Sequence, residues 1–163
     1  MRDYTNKEVK YKGCPGCAFA KHEFELPCGI AYENERFTLA QDWELPIDGF
    51  MIVSPKRHIE KLSELSRDER IEMFDIVDRT IKILRENDVC ENFDVIFEER
   101  ADRHLYVWIM PRHEWMMEIC EDIIDNVKVV CDYAKENFRN DKVYERISEI
   151  SEMVREGFEK RER

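Results

Sequence analysis

The sequence predicts an α+β domain: an antiparallel sheet of about five short strands with one long helix, followed by a C-terminal helical hairpin. Three observations predict it. Five short β-like segments are punctuated by turn residues. A capping signal opens a run of helical periodicity at Ser66. After Pro111 the apolar residues recur only at spacings of three and four.

The strands fall at about 29–33, 36–41, 50–55, 93–98 and 104–110, with Gly29, Asn34-Glu35 and Gly49 separating the first three. Asn34-Glu35 between two β-like runs predicts a tight hairpin. Ser66 with Glu69 has the form of a capping box, in which each side chain satisfies an orphan backbone N–H of the first turn. Ile71, Phe74, Val77, Ile81 and Leu84 follow as an apolar stripe, predicting a helix over 66–86. Trp115, Ile119, Ile123, Val127, Val130 and Ala134 form a second stripe. Residues 137–141 read as a turn, and Val143, Ile147, Ile150, Val154 and Phe158 form a third. The predicted organisation is a domain over 1–115 and a helical extension over 116–163 packed on it. The two stripes must be buried on the sheet, on each other or on a second copy of the chain. The extra width that Met116, Ile124 and Cys131 give the first stripe points to a homodimer.

The 163 residues suit about one domain, and a hydrophobic fraction of 43% excludes a disordered chain. With 37 acidic against 26 basic residues the net charge is −11. That argues against a general nucleic-acid binder, which needs a basic surface to displace counterions. The longest purely apolar run, Leu105 to Met110, is far short of the roughly 20 residues that span a bilayer. The first eight residues contain no signal-peptide core, so the expected address is the cytoplasm. Cysteines are reduced there, and close spacing points to metal before disulfide.

Cys14-Pro15-Gly16-Cys17 is the sharpest local signal. Two thiolates three residues apart on a tight turn can grip one tetrahedral zinc ion. A redox dithiol expects a preceding strand in a βαβ unit, and none is predicted here. The four histidines, His22, His58, His104 and His113, are the natural source of further ligands. His58 ends a basic strand terminus, Pro55-Lys56-Arg57-His58, that could bind an anion or a metal but taken alone reads more often as a solvated charge cluster. In 104–110 strict alternation puts His104, Tyr106, Trp108 and Met110 on one face and Leu105, Val107 and Ile109 on the other. The second face suits the helix core. The first suits a pocket or a half-buried aromatic ladder. Cys120 and Cys131 read as small hydrophobes, and Cys28 and Cys90 have no metal spacing.

These residues resemble the histidine-triad (HIT) family. The resemblance runs from Gly29 to Leu39, through Asp42, Pro46, Gly49 and Val53 to His58, then the 66–86 helix, then His104 to Arg112. It covers about 13–115 and implies a nucleotide-binding fold, many of whose members are hydrolases or transferases. It implies a structural zinc held by Cys14, Cys17, His58 and His104, the positions that match the metal ligands of a zinc-binding branch. It also implies that Asp42 accepts the ribose hydroxyls, with Trp43 beside it offering a flat face to a base. Without the resemblance Asp42 is an ordinary turn residue. Family members are commonly dimers.

The sequence departs from the family at the catalytic motif, in which three histidines alternate on one strand and the middle one attacks phosphorus. Here Tyr106 stands at the nucleophile position and Trp108 at the third. Glu98 to Arg103 is shorter than the family's phosphate loop and has no glycine. Phenol, with an ordinary pKa of about 10, is barely ionised at neutral pH. Indole donates a proton but accepts none. The expected function is therefore a nucleotide-binding protein with a structural zinc and without histidine-nucleophile catalysis. The alternatives are an active nucleotidyl hydrolase or transferase using another residue, such as Tyr106 or His113, and a non-enzymatic interaction protein.

Overall fold

The computed structural model describes residues 2–99 and 103–160. The interval 100–102, part of the glycine-free segment before His104, lies outside the described residues. Among those described, β1 (Tyr32–Glu33), β2 (Phe37–Gln41), β3 (Met51–Pro55), β4 (Phe93–Phe97) and β5 (Val107–Pro111) form one antiparallel sheet. Their order is β1-β2-β3-β5-β4. The β1–β2 hairpin turns where predicted. Asn34 Oδ1 accepts the backbone N–H groups of Arg36 and Phe37, both at 2.9 Å, the use of an Asn side chain that such turns favour.

The helices are α1 (Pro15–Ala20), α2 (Arg67–Glu86), α3 (Glu114–Ile119), α4 (Val127–Asn137) and α5 (Asp141–Glu159). The capping box of α2 forms as expected: Ser66 Oγ accepts from Glu69 N, and Glu69 Oε2 accepts from Ser66 N at 2.7 Å. Its buried stripe keeps Val77 and Leu84 of the predicted one but is otherwise shifted around the helix. Met73, Ile76, Val77, Thr80, Ile83 and Leu84 are buried between the sheet and the C-terminal helix, whereas Ile71 and Phe74 are 47% and 49% exposed. Both sets recur at three and four, and they lie on overlapping arcs of the same helix. Periodicity alone does not say which arc meets the sheet.

The two sheet faces carry separate cores. On one, Leu39, Met51, Val53, Val107 and Ile109 pack with α2 and with Ile150, Val154 and Phe158 of α5. On the other, Leu45, Ile47, Phe50 and Met110 pack with Met116, Ile123, Val130 and Ala134. The C-terminal region is thus three helices rather than a two-helix hairpin. The second stripe breaks at Cys120, whose backbone is extended (φ −153°, ψ 150°), and resumes in α4. The stripes of α4 and α5 are buried within the chain on opposite faces of the sheet, so neither needs a second copy to cover it. No described helix is long and apolar enough to cross a membrane.

Candidate functional site

The Cys14-Pro15-Gly16-Cys17 turn becomes the start of α1. Pro15 opens the helix, where its missing N–H costs nothing, and Cys14 Sγ accepts the Cys17 N–H at 3.5 Å. Gly16 lies against the His104 ring. A Cβ at this position would stand 2.4 Å from His104 Cγ, so glycine is what allows the helix to approach the imidazole. His104 precedes β5, which starts at Val107 and not at 104, and His58 follows β3.

This brings Cys14, Cys17, His58 and His104 together, with one ligand atom from each lying within 4.8 Å of the others. Cys17 Sγ is 3.3 Å from His58 Nδ1 and 3.5 Å from His104 Nδ1, and Cys14 Sγ is 3.7 Å from His104 Nδ1. Zinc bonds of about 2.3 Å to sulfur and about 2.0–2.1 Å to nitrogen, at the tetrahedral angle, separate the two donors by about 3.5 Å. The four groups fit that ion. His104 Nε2 lies 2.7 Å from the Pro55 carbonyl oxygen, which can only accept, so Nε2 carries the proton and Nδ1 presents a lone pair. Burial holds the His104 pKa below its ordinary value, favouring the neutral imidazole that a metal requires. On His58 the far nitrogen faces Glu60 Oε1 at 3.6 Å.

Beside the cluster opens a cavity of about 740 Å³. Its wall includes Asp42 and Trp43, with His104, Tyr106 and Trp108 along one side. The alternation predicted for 104–110 therefore holds at these positions, although the strand begins later. Tyr106 stacks on Trp108 with centroids 5.7 Å apart, and its hydroxyl donates to Glu98 Oε2 at 2.9 Å. Asp42 is 6% exposed, and its Oδ1 accepts from Glu44 N at 2.7 Å and Leu45 N at 2.9 Å. It is thus a turn residue and a cavity carboxyl at once. Burial pushes its pKa up to about 7, against the pull of those two N–H groups and of Lys135. The Trp43 ring packs on Phe19 at 5.4 Å and Phe24 at 5.6 Å.

His113 is outside the cavity wall. It stands at the N-terminus of α3, with Nε2 2.8 Å from the Asp48 carbonyl oxygen. The cavity residues that sequence reasoning missed include Tyr11, Phe19, Glu98 and the α4 side chains Lys128, Asp132 and Lys135. Nothing in the chain signals that α4 crosses above Asp42. Cys131, read as a small hydrophobe, also lies on this wall, where burial raises its thiol pKa to about 11.

A five-stranded antiparallel sheet with a Cys2His2 cluster beside an aromatic cavity defines a small α+β fold class, and comparison with known proteins places the chain within it. The HIT domain family model matches residues 23–156, so the chain belongs to the HIT family. The match begins after Cys17 and runs beyond residue 115 into α5. An uncharacterised HIT-like protein of Methanocaldococcus jannaschii is 30% identical over 105 residues, spanning 60% of this chain and 80% of that protein. A hypothetical histidine triad nucleotide-binding protein from Sulfolobus tokodaii superposes with a TM-score of 0.64 at 21% identity, covering 92% of this chain and 95% of that one. A zinc-bound histidine triad family protein from Mycobacterium smegmatis gives 0.62 at 16% identity, covering 91% and 95%. The two structural likenesses establish the fold.

Proposed function

We propose that this HIT-family chain binds a nucleotide or nucleotide-like small molecule in the cavity, on a scaffold tied by a structural zinc ion. The carrying observation is Asp42, a buried carboxyl on the cavity wall beside the Trp43 ring. In this reading Asp42 accepts the ribose hydroxyls and Trp43 covers the base. The nucleotide-binding description of the Sulfolobus tokodaii protein supports it.

Cys14, Cys17, His58 and His104 hold the zinc, and the zinc-bound Mycobacterium smegmatis protein supports that assignment. Four protein ligands close the tetrahedral shell, so the ion ties α1 to the ends of β3 and β5 and has no position left for substrate. Tyr106 and Trp108 supply neither the imidazole nucleophile nor its partner, so the chain does not form a histidine-linked nucleotidyl intermediate.

Thermal-shift measurements on the full chain with a set of nucleosides and nucleotides test binding. A rise in Tm that is lost in Asp42→Ala supports the reading, and no response to any of them refutes it. Incubation with a dinucleoside polyphosphate tests catalysis, and a trapped nucleotidyl-histidine refutes the non-catalytic part. The Tyr106–Glu98 contact favours a second reading, hydrolysis through another residue, marked by monophosphate release that Tyr106→Phe abolishes. Homodimerisation belongs to the same proposal, and sedimentation of the full chain tests it.

A further inference from the structure

The metal cluster and the cavity share one short helix. α1 carries Cys17 and is capped by Cys14, while Cys14, Pro15, Gly16 and Phe19 all lie on the cavity wall. Its six residues are too few for a helix to hold its shape alone in water. Tertiary contacts must therefore fix it. Gly16, Ala18, Phe19 and Ala20 are buried, Gly16 sits against the His104 ring, and the two cysteines converge on His58 and His104.

The far end of α1 reaches the ligand side of the cavity. Phe19, 2% exposed, packs its ring on Trp43 with centroids 5.4 Å apart. Phe24, in the segment after α1, meets the same indole edge-on at 5.6 Å. The Trp43 backbone belongs instead to the turn after β2. Its carbonyl accepts the Tyr4 N–H at 2.8 Å, and the neighbouring Asp42 N–H donates to the Phe50 carbonyl at 2.8 Å. The backbone of Trp43 is thus tied to the sheet, while its ring packs on two aromatic side chains that lie downstream of Cys17. Aromatic pairs hold preferred offset or edge-to-face geometries, and a close-packed interior passes a shift of one ring to the next.

We propose that Phe19 is a positioning residue that couples the metal cluster to the ligand site. When Cys14, Cys17, His58 and His104 hold zinc, α1 is fixed beside the sheet and Phe19 holds the Trp43 ring in the orientation that receives a base. When they do not, α1 loosens and Trp43 loses that support. Zinc and nucleoside therefore each bind more tightly in the presence of the other, by the same factor. This rests on the reading of Trp43 as the base side of the site and deepens it.

Competition against a zinc chelator tests the coupling on the full chain, without and with saturating adenosine, guanosine, cytidine, uridine or their 5′-monophosphates. In the parent, a probe that binds should lower the zinc dissociation constant about five-fold or more, and zinc loading should strengthen that probe by the same factor. Phe19→Leu keeps an apolar side chain but no ring, so it should retain zinc and bring both factors close to unity. Factors unchanged in Phe19→Leu would route the coupling through His104, which also lies on the cavity wall, and overturn the role of Phe19. A bound probe that leaves zinc affinity unchanged overturns the coupling itself.

The contact between α1 and Trp43 can be followed with no ligand and with Phe19 intact. The indole N–H resonance of Trp43, assigned by its loss in Trp43→Phe, should shift when the parent is chelated. That of Trp115, packed on Tyr133 and Phe138 in the second core, should not. No shift at Trp43 overturns the proposal, and so does joint collapse of both resonances, which would mean that zinc acts through global folding. Failure of every probe to bind removes the nucleotide reading, while a Trp43 shift in the same protein leaves the link through α1 standing.

Discussion

Gly16→Ala should disable the metal cluster without touching a ligand. The new Cβ would lie 2.4 Å from His104 Cγ, 2.5 Å from its Cβ and 2.9 Å from Nδ1. Optimal carbon–carbon contact is about 3.5–4.0 Å, so ring and helix must separate by about 1 Å. The ring has little room to yield, because Nε2 is held by the Pro55 carbonyl at 2.7 Å and Nδ1 faces both sulfurs. Overpacking of this kind costs about 1–3 kcal/mol. At this chain length each kcal/mol shifts Tm by about 2–4 °C, so a fall of about 2–12 °C is expected. Metal ligation tolerates about 0.2 Å, so bound zinc should fall as well. Gly13→Ala is the control. Gly13 has φ +73° and open space around its missing side chain, so alanine there strains the backbone by about 1–2 kcal/mol but should leave zinc content intact. The assay is zinc per chain by elemental analysis together with Tm. A Gly16→Ala protein with full zinc and a Tm within about 1 °C of the parent refutes the reasoning.

His58→Ala should lower zinc content, and a chelator should lower the Tm of the parent far more than that of the variant, since metal binding and folding are linked. Equal responses to the chelator would remove His58 from the site. Asp42 predicts a pH dependence. Its carboxyl titrates near 4 in the unfolded chain and at about 7 in the fold, so in that window the folded state holds the extra proton. Its contribution to stability is complete below the unfolded pKa and is lost as pH rises through 7, with a slope of at most about 1.4 kcal/mol per unit. Denaturant midpoints of the parent and Asp42→Asn across this range should diverge in that direction, and parallel curves would contradict it. Ligand binding should run the other way, strengthening from pH about 6 to about 8 as the carboxylate forms to accept hydroxyls. Met73→Ala, at a fully buried position, should cost about 2–5 kcal/mol. Its neighbour Phe74→Ala, half exposed, should cost less than half as much. Equal losses in chemical denaturation would mean that the buried arc of α2 is misassigned.

Local chemistry made several features legible before any fold was known. The capping box at Ser66 and Glu69 and the Asn34 hairpin are satisfied within a few residues of chain, so sequence spacing is enough to specify them. The alternation of His104, Tyr106 and Trp108 against Leu105, Val107 and Ile109 follows from the two-residue period of extended backbone, and the two sets do lie on different sides. The HIT resemblance extended this to the Cys14, Cys17, His58 and His104 cluster, because a family motif encodes contacts that spacing alone does not. It did not extend to α4, whose lysines and acids share no motif with Asp42.

Tertiary packing settled the rest. The amphipathic arcs of α2 are almost equivalent as patterns, and the choice of Met73 over Phe74 as the buried one was made by where the sheet lies. The break at Cys120 carries no glycine or proline, because the chain there turns to lay Ile123 and Val130 over Phe50 and Met110. Whether α4 and α5 pair with each other or straddle the sheet depends on two separate apolar faces competing for cover. That is a property of the assembled sheet, not of either helix. The same long-range placement sets the charge of the cavity. Asp42, Glu98 and Lys135 are far apart along the chain and become one wall only when the strands and α4 meet. By itself the sequence determined the sheet strands, the long helix and its cap, since these rest on local hydrogen bonding and periodicity. Only the tertiary structure decided which faces meet and what electrostatic environment they enclose, since those depend on contacts between residues that the chain keeps distant.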